Sequence, residues 1–304
     1  MGQLFKAPSF AEEFLRKASS RGETLIKAGV WDFNVSQLRS WIKNFKSPEA
    51  QYLCAHLLDS LIYRSERMTT SLCKHAVQSI LPNSLNAYPE DLSKWILKMG
   101  SPAFSGFCFV AVEGIKRGER QPAKSGQTVL RMYDRAGVAH KNHFIDASYL
   151  LDKLNSNNYK HIVFVDDFCG TGTQFTTFYN HFGLSNIPQN INQYYIPFAC
   201  HDEAISQKLK LETPQVKVSP VELLDEGNRF FSEKYGSFRG DKLNSVNTAK
   251  NFYQTFLIDN NIKMEHPFGF GGLELSYGWS KATPNNTLPI FYTEQSKWTP
   301  LLTR

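Results

Sequence analysis

Between residues 34 and 102 the apolar positions recur three and four apart, the period of a helix with one buried face. Val35, Leu38, Trp41, Ile42 and Phe45 share such a face while Arg39, Lys43 and Lys46 lie off it, and Asn34 with Gln37 supplies a capping pair ahead of them. Ser47-Pro48-Glu49 marks a second start, a capping hydroxyl before a proline at the first helical position, and Leu53, Cys54, Leu57, Leu58, Leu61 and Ile62 follow as one wide stripe. A third helix is predicted from Leu72 to Leu81, ended by Pro82. A fourth opens near Pro89-Glu90-Asp91, carries Leu92, Trp95, Ile96 and Leu97, and stops at Gly100 and Pro102. The chain thus divides into a helical region, 1–102, and a second domain, 103–304. The helices read either as a cap on that domain or as a helix-turn-helix DNA reader, and the missing recognition-helix pattern favours the cap.

From Phe104 the pattern changes to short apolar runs bounded by turn residues. Phe107–Val112, His161–Val165, Tyr194–Cys200 and Val216–Val218 read as buried strands, with Pro197 placing the third at an edge or bulge. A polar, basic loop (Lys116, Arg117, Arg120, Lys124) follows the first strand and closes with Ser125-Gly126-Gln127 ahead of a helix. Helices are also predicted over Asp202–Leu211 and Ser245–Asn260. Strands alternating with helices imply an α/β fold with an open parallel sheet, whose ligand sits at the C-terminal ends of the strands. The stretch 266–304 is rich in Gly, Pro, Asn and aromatics. Tyr277, Trp279, Phe291, Tyr292 and Trp298 are too many rings to leave in water, so it reads as an ordered excursion packed on the domain.

Composition adds limits. Apolar residues make up 41% and charged residues 20% of the 304, an ordinary globular balance, and no run is long enough for a membrane span. The opening Met-Gly-Gln-Leu-Phe-Lys lacks the apolar core of a signal peptide, and Lys6 stands where a myristoylation signal wants Ser or Thr; the expectation is a cytoplasmic protein without membrane contact. Five widely spaced cysteines without a Cys-x-x-Cys pair predict free thiols. The charge of +6 is uneven: residues 1–165 carry 22 basic and 14 acidic side chains, residues 166–304 carry 12 and 14. The basic half is either a solvated surface or a face for nucleic acid or phosphates.

The densest chemistry lies at residues 161–175, where a buried strand ends in Asp166-Asp167 and passes through a Gly/Thr loop into a helix. Amide N–H groups at a helix start favour an anion, and acids at a strand's end suit sugar hydroxyls or a metal; the bland alternative is an acid pair that merely caps the helix. The order of four hydrophobics (Ile162–Val165), two acids, three variable residues (Phe168-Cys169-Gly170) and Thr171-Gly172-Thr173-Gln174 resembles the signature of type I phosphoribosyltransferases. That resemblance implies that Asp166 and Asp167, the catalytic candidates, hold the ribose hydroxyls of phosphoribosyl pyrophosphate, while Gly170, Thr171, Gly172, Thr173 and Gln174 hold its 5′-phosphate. One departure stands out, since the family usually has Thr-Gly-Gly-Thr and this chain has Thr173 in place of the second glycine.

Further segments narrow the resemblance. Leu58-Asp59-Ser60-Leu61-Ile62-Tyr63, Lys124-Ser125-Gly126, Arg131, the Asp166 loop, Asn285-Asn286-Thr287-Leu288-Pro289-Ile290-Phe291 and Trp298 look like the phosphoribosyltransferase-like domain of prokaryotic conflict systems, the PRTase-CE family. The resemblance implies a type I phosphoribosyltransferase-like fold. It makes Lys124-Ser125-Gly126 with Arg131 the pyrophosphate-binding wall, and has Mg²⁺ arrive through the substrate with no direct protein ligation. It also implies an effector of anti-phage defence, of the kind found in retrons beside a reverse transcriptase and its RNA-linked DNA. The expected ligand is a nucleotide or phosphoribosyl pyrophosphate, and the expected activity glycosyl transfer or N-glycosidic cleavage, restrained until infection. The alternative is a non-catalytic module that senses a nucleotide and binds nucleic acid or the reverse transcriptase. His140 and His143 have a metal-compatible spacing only on a helix and otherwise belong to a loop over the pocket. Cys169, near a helix start, is either a reactive thiol or a small loop filler.

Overall fold

The computed structural model describes residues 4–304 except 86–87, 104–105, 122–123, 157, 263 and 296, and the backbone alone at 120–121, 124–125 and 155–156. In chain order the helices are α1 (Ala11–Lys27), α2 (Val35–Ile42), α3 (Pro48–Ser60), α4 (Glu66–His75), α5 (Leu81–Ser84), α6 (Leu92–Gly100), α7 (Lys124–Arg135), α8 (Leu150–Ser156), α9 (Thr173–His181), α10 (Lys210–Glu212) and α11 (Val246–Asp259). The strands are β1 (Ile62–Arg64), β2 (Phe107–Ala111), β3 (Gly114–Lys116), β4 (Glu119–Gln121), β5 (His161–Cys169), β6 (Asn192–His201), β7 (Val216–Val218), β8 (Glu222–Leu224) and β9 (Tyr277–Trp279). None of the described helices is long and apolar enough to cross a membrane.

The chain forms two compact units, and their borders are not at residue 102. Residues Met68–Leu224 make a sheet unit, while Met1–Arg67 and Asp225–Arg304 together make a helical unit. Residues 68–102 therefore group with the sheet, and the C-terminal excursion groups with the first three helices. Packing across great sequence distance fixes this grouping. The indole of Trp41 donates to the carbonyl of Ile290 at 3.0 Å and stacks on Phe291, and Phe45 lies between Phe256 and Trp298. All five C-terminal rings singled out from the sequence are buried. Leu61 leads α3 into β1, which pairs in parallel with β9; Ile62 donates to Ser276, and Leu288 donates to Leu275 on the other side. The segments 58–63 and 285–291 thus flank the same stretch of chain.

Local signals produced the expected helices. Asn34 caps α2 by accepting from the Gln37 amide, Ser47 caps α3 ahead of Pro48, Asp91 caps α6 and Ser245 caps α11. Pro82 does not end its helix. A π-helical turn, Ala76–Ile80, widens the chain before it, and Pro82 sits at the start of α5, where a missing N–H costs little.

In the main sheet of this unit every pairing is parallel, in the order β2-β5-β6 with β7 and β8 sharing the far edge of β6. The fold is α/β, a parallel sheet flanked by helices. Pro197 lies inside the sheet rather than at its edge, opposite the break between β7 and β8; its carbonyl accepts from Val221, but it has no N–H to give on that side. The basic stretch expected as a loop is a hairpin, β3 and β4, turned by Arg117 (φ 53°) and Gly118 (φ 76°). Two consecutive positive φ values are the geometry that suits the twist of a two-residue hairpin.

Candidate functional site

β5 carries the acids. Its inner residues Ile162–Asp166 are buried, and its C-terminal end opens onto the loop that leads into α9. Gly172 makes the turn with φ 78°, a conformation that a side chain resists, and a Cβ there would also stand 3.1 Å from Leu209. As the residue before α9, Gly172 brings no side-chain cap. Within the loop the Thr171 hydroxyl donates to Thr173 Oγ1 at 3.1 Å, and Thr171 and Gln174 are partly or fully exposed. The expected phosphate cradle is thus a tight turn followed by a helix start whose first amides favour an anion.

The two acids occupy different environments. Asp166 is fully buried, and its carboxyl accepts from the Asp167 amide at 3.0 Å, the Tyr195 hydroxyl at 3.1 Å and Gln174 Nε2 at 3.3 Å. Burial, reinforced by the negative charge of Asp167, pushes its carboxyl well above the usual carboxylate range. Asp167 is only half-buried, and its Oδ1 accepts from the Phe168 amide at 2.9 Å. Asp166 therefore ties β5 to α9 and β6, and Asp167 is the more exposed acid of the pair. Gln174, at the departure from the family pattern, is one of those ties.

Beneath the loop, Cys169 stands beside Cys200 in the register of β5 and β6. Hydrogen bonds from Cys200, Tyr195 and the Gly172 amide outweigh burial and hold the Cys169 thiol below its ordinary range, whereas Cys200 is pushed up. All five cysteines are buried free thiols, so Cys169 fills the loop rather than facing solvent.

The opposite wall differs from expectation. Lys124-Ser125-Gly126 is the first turn of α7, not a loop, because a glycine at 126 lets the helix close on the end of β2: a Cβ there would lie 2.3 Å from the Val112 carbonyl. The side chains of Lys124 and Ser125 lie outside what the structure describes. Arg131 is exposed one turn on, and its Nε donates to the carbonyl of Gln127 at 3.3 Å; no described hydrogen bond or ion pair joins it to the Asp166 loop.

The structure adds Glu113, which sequence reasoning passed over as a strand end. The Val112 amide donates to Val165 at 2.9 Å, so Glu113 leaves β2 level with the acid pair; it is buried and accepts from Gln127 at 2.9 Å. Its signal was the one already used at Asp166, an acid directly after a run of buried apolar residues. Tyr195, read only as a strand residue, is the other omission. His140 accepts from the Asn142 amide, and buried His143 pairs through Nε2 with the Ser101 carbonyl at 2.9 Å. Asn286 is likewise structural, donating to Phe270 at 2.8 Å. No group of three or more His, Cys, Asp and Glu among the described residues could hold a metal ion.

Among comparisons with known proteins, a family model described as PRTase-CE matches residues 38–304. No curated protein and no solved structure matches the chain.

Proposed function

The chain belongs to the PRTase-CE family, a phosphoribosyltransferase-like domain of prokaryotic conflict systems, and from that premise we propose that it binds a ribose 5-phosphate compound, a nucleotide or phosphoribosyl pyrophosphate, as an effector of anti-phage defence. One observation carries the proposal: a helix start reached through the left-handed Gly172, which brings no side-chain cap, comes one short loop after two acids near the C-terminal end of a parallel strand. The loop and helix start from Gly170 to Gln174 would take the 5′-phosphate, with the hydroxyls of Thr171 and Thr173 and about half a positive charge at the start of α9. Asp167 would accept from the ribose hydroxyls, and Asp166 would hold the loop in place through Gln174 and Tyr195. Displacement at the anomeric carbon passes through an oxocarbenium-like state, so positioning and stabilisation of the leaving anion would dominate catalysis.

The residues accommodate Mg²⁺ only as a companion of the substrate. Asp166 is enclosed and already accepts three hydrogen bonds, so the metal would rest on substrate oxygens with Asp167 as the accessible protein carboxylate, supplying charge neutralisation for the leaving group. The basic half of the chain, within it the hairpin residues Lys116 and Arg117, would contact nucleic acid or a reverse-transcriptase partner in a retron setting.

The enclosure of Asp166 favours a second reading, a nucleotide sensor without turnover, because a single accessible acid suffices to recognise a ribose. Titration calorimetry of phosphoribosyl pyrophosphate with Mg²⁺ separates the possibilities from no function at all. Asp167→Asn is expected to weaken binding about tenfold or more, the loss of a charge-assisted hydrogen bond; equal binding by both proteins would overturn the site. Incubation of nucleotides with wild type, followed by chromatography, then divides turnover from sensing.

A further inference from the structure

The helical unit contains a cavity of about 720 Å³ that the reading above does not use. Small-molecule sites commonly measure roughly 300–1,000 Å³. Phe10, Phe14, Tyr52 and His56 line it with rings, and Lys17, Arg239 and Lys242 stand among its polar lining. The ring wall is built and held. His56 packs edge-on against Phe14 at 5.0 Å and Tyr52 at 4.6 Å, with Phe238 behind it at 4.2 Å. Burial lowers the His56 pKa to about 4, so the imidazole is neutral at pH 7. Its Nε2 is buried and has no hydrogen-bond partner, a condition that native structures seldom leave unexplained.

The charges divide into spoken-for and unassigned. Asp241 accepts from the Tyr52 hydroxyl, from Asn244 Nδ2 and from the amides of Leu243 and Asn244, and Lys17 pairs with Glu13 at 2.7 Å. Arg239 and Lys242 are exposed and make no side-chain hydrogen bond or ion pair with the described residues. The cavity therefore joins an aromatic wall and two uncommitted cations. Phe10, half-exposed at 55% and edge-on to Tyr52, supplies a ring face that a monomer would otherwise leave in water.

We infer that this cavity binds a heteroaromatic ring that carries a phosphate, a nucleotide either free or within a single strand, with the base against Phe10, Phe14 and Tyr52 and the phosphate at Arg239 and Lys242. Stacking on aromatic rings is tolerant of base identity, and the two cations select for an anion.

The test is titration calorimetry of the full chain with the four ribonucleoside monophosphates, adenosine, inorganic phosphate and a short oligodeoxyadenylate. Saturable binding of at least one monophosphate is expected, with adenosine and inorganic phosphate each weaker. The double variant Arg239→Gln/Lys242→Gln, altered only at exposed side chains, should weaken that binding about tenfold or more, whereas Asp167→Asn should leave this component intact. Tighter binding of the oligonucleotide than of any monophosphate assigns the source to a strand, and the reverse to a free nucleotide. Absence of saturable binding, or binding that survives the Arg239/Lys242 changes and disappears in Asp167→Asn, overturns the inference. The second outcome would leave the sheet-unit site standing.

Discussion

The helical unit and the sheet unit bury polar groups differently, although each encloses a carboxyl: Glu274 of the helical unit is buried and paired with Lys250. In the helical unit the rings come first, and buried polar atoms serve them: the Trp41 indole donates to Ile290, and Thr287 Oγ1 donates to Tyr277. In the sheet unit two carboxyls, Asp166 and Glu113, are buried at strand ends and held by Tyr195, Gln174 and Gln127. Burying a carboxyl costs stability that a well-packed apolar group would not. One unit spends its interior on holding together, the other on holding a site, and the difference is measurable.

The largest effect should come from the ring core. Trp41→Ala removes a fully buried side chain and its tie to Ile290, and is expected to lower the unfolding free energy by about 3–5 kcal/mol in urea titrations. A much smaller loss would mean that the ring core is not what holds the helical unit together. His56 sharpens the same point by pH. Its folded pKa of about 4 lies below the ordinary 6.5, depressed by burial against the opposing pull of Asp241 and Asp59. The stability it contributes is present above pH 6.5 and is lost as pH falls through 4, a span of about 3 kcal/mol. His56→Phe should flatten that acid limb; an unchanged limb would assign it to other groups.

Smaller effects belong to the site. Gly172→Ala forces a left-handed backbone on a residue with a Cβ and crowds Leu209, and should cost about 1–2 kcal/mol while weakening phosphate binding. Asp166→Asn should act in the other direction. Because the folded pKa of Asp166 is raised, its contribution is favourable at low pH and is lost as pH rises through that value. The amide should therefore raise the melting temperature at pH 8 and leave it unchanged below the carboxylate range. A stabilisation that persists at low pH would assign the gain to something other than the ionisation of this acid.

What the sequence made legible was local. The caps at Asn34, Ser47, Asp91 and Ser245 could be read because a capping side chain meets amides two or three residues away. β2, β5, β6 and β7 were legible because a strand buried on both faces is apolar throughout. The acid pair was legible as a motif, but not its asymmetry, since the burial of Asp166 depends on Tyr195, 29 residues later. Three other features escaped for similar reasons. The hairpin after β2 was hidden by its charges, with Arg117 rather than Asn or Asp taking the first positive φ of the turn. The first turn of α7 looked like a loop because Gly126 reads as a breaker, although it serves close approach to Val112. The division into units escaped altogether, because nothing near Trp41 announces a partner 249 residues away.

That separation has a consequence for synthesis. The sheet unit is one continuous segment, Met68–Leu224, inserted into the helical unit. A ribosome therefore releases α1, α2 and α3 long before it makes the chain that covers Trp41 and Phe45. Until residues 290–298 emerge, a nascent polypeptide carries a bare aromatic surface of the kind that aggregates or recruits a chaperone, while the inserted segment already has everything it needs to close.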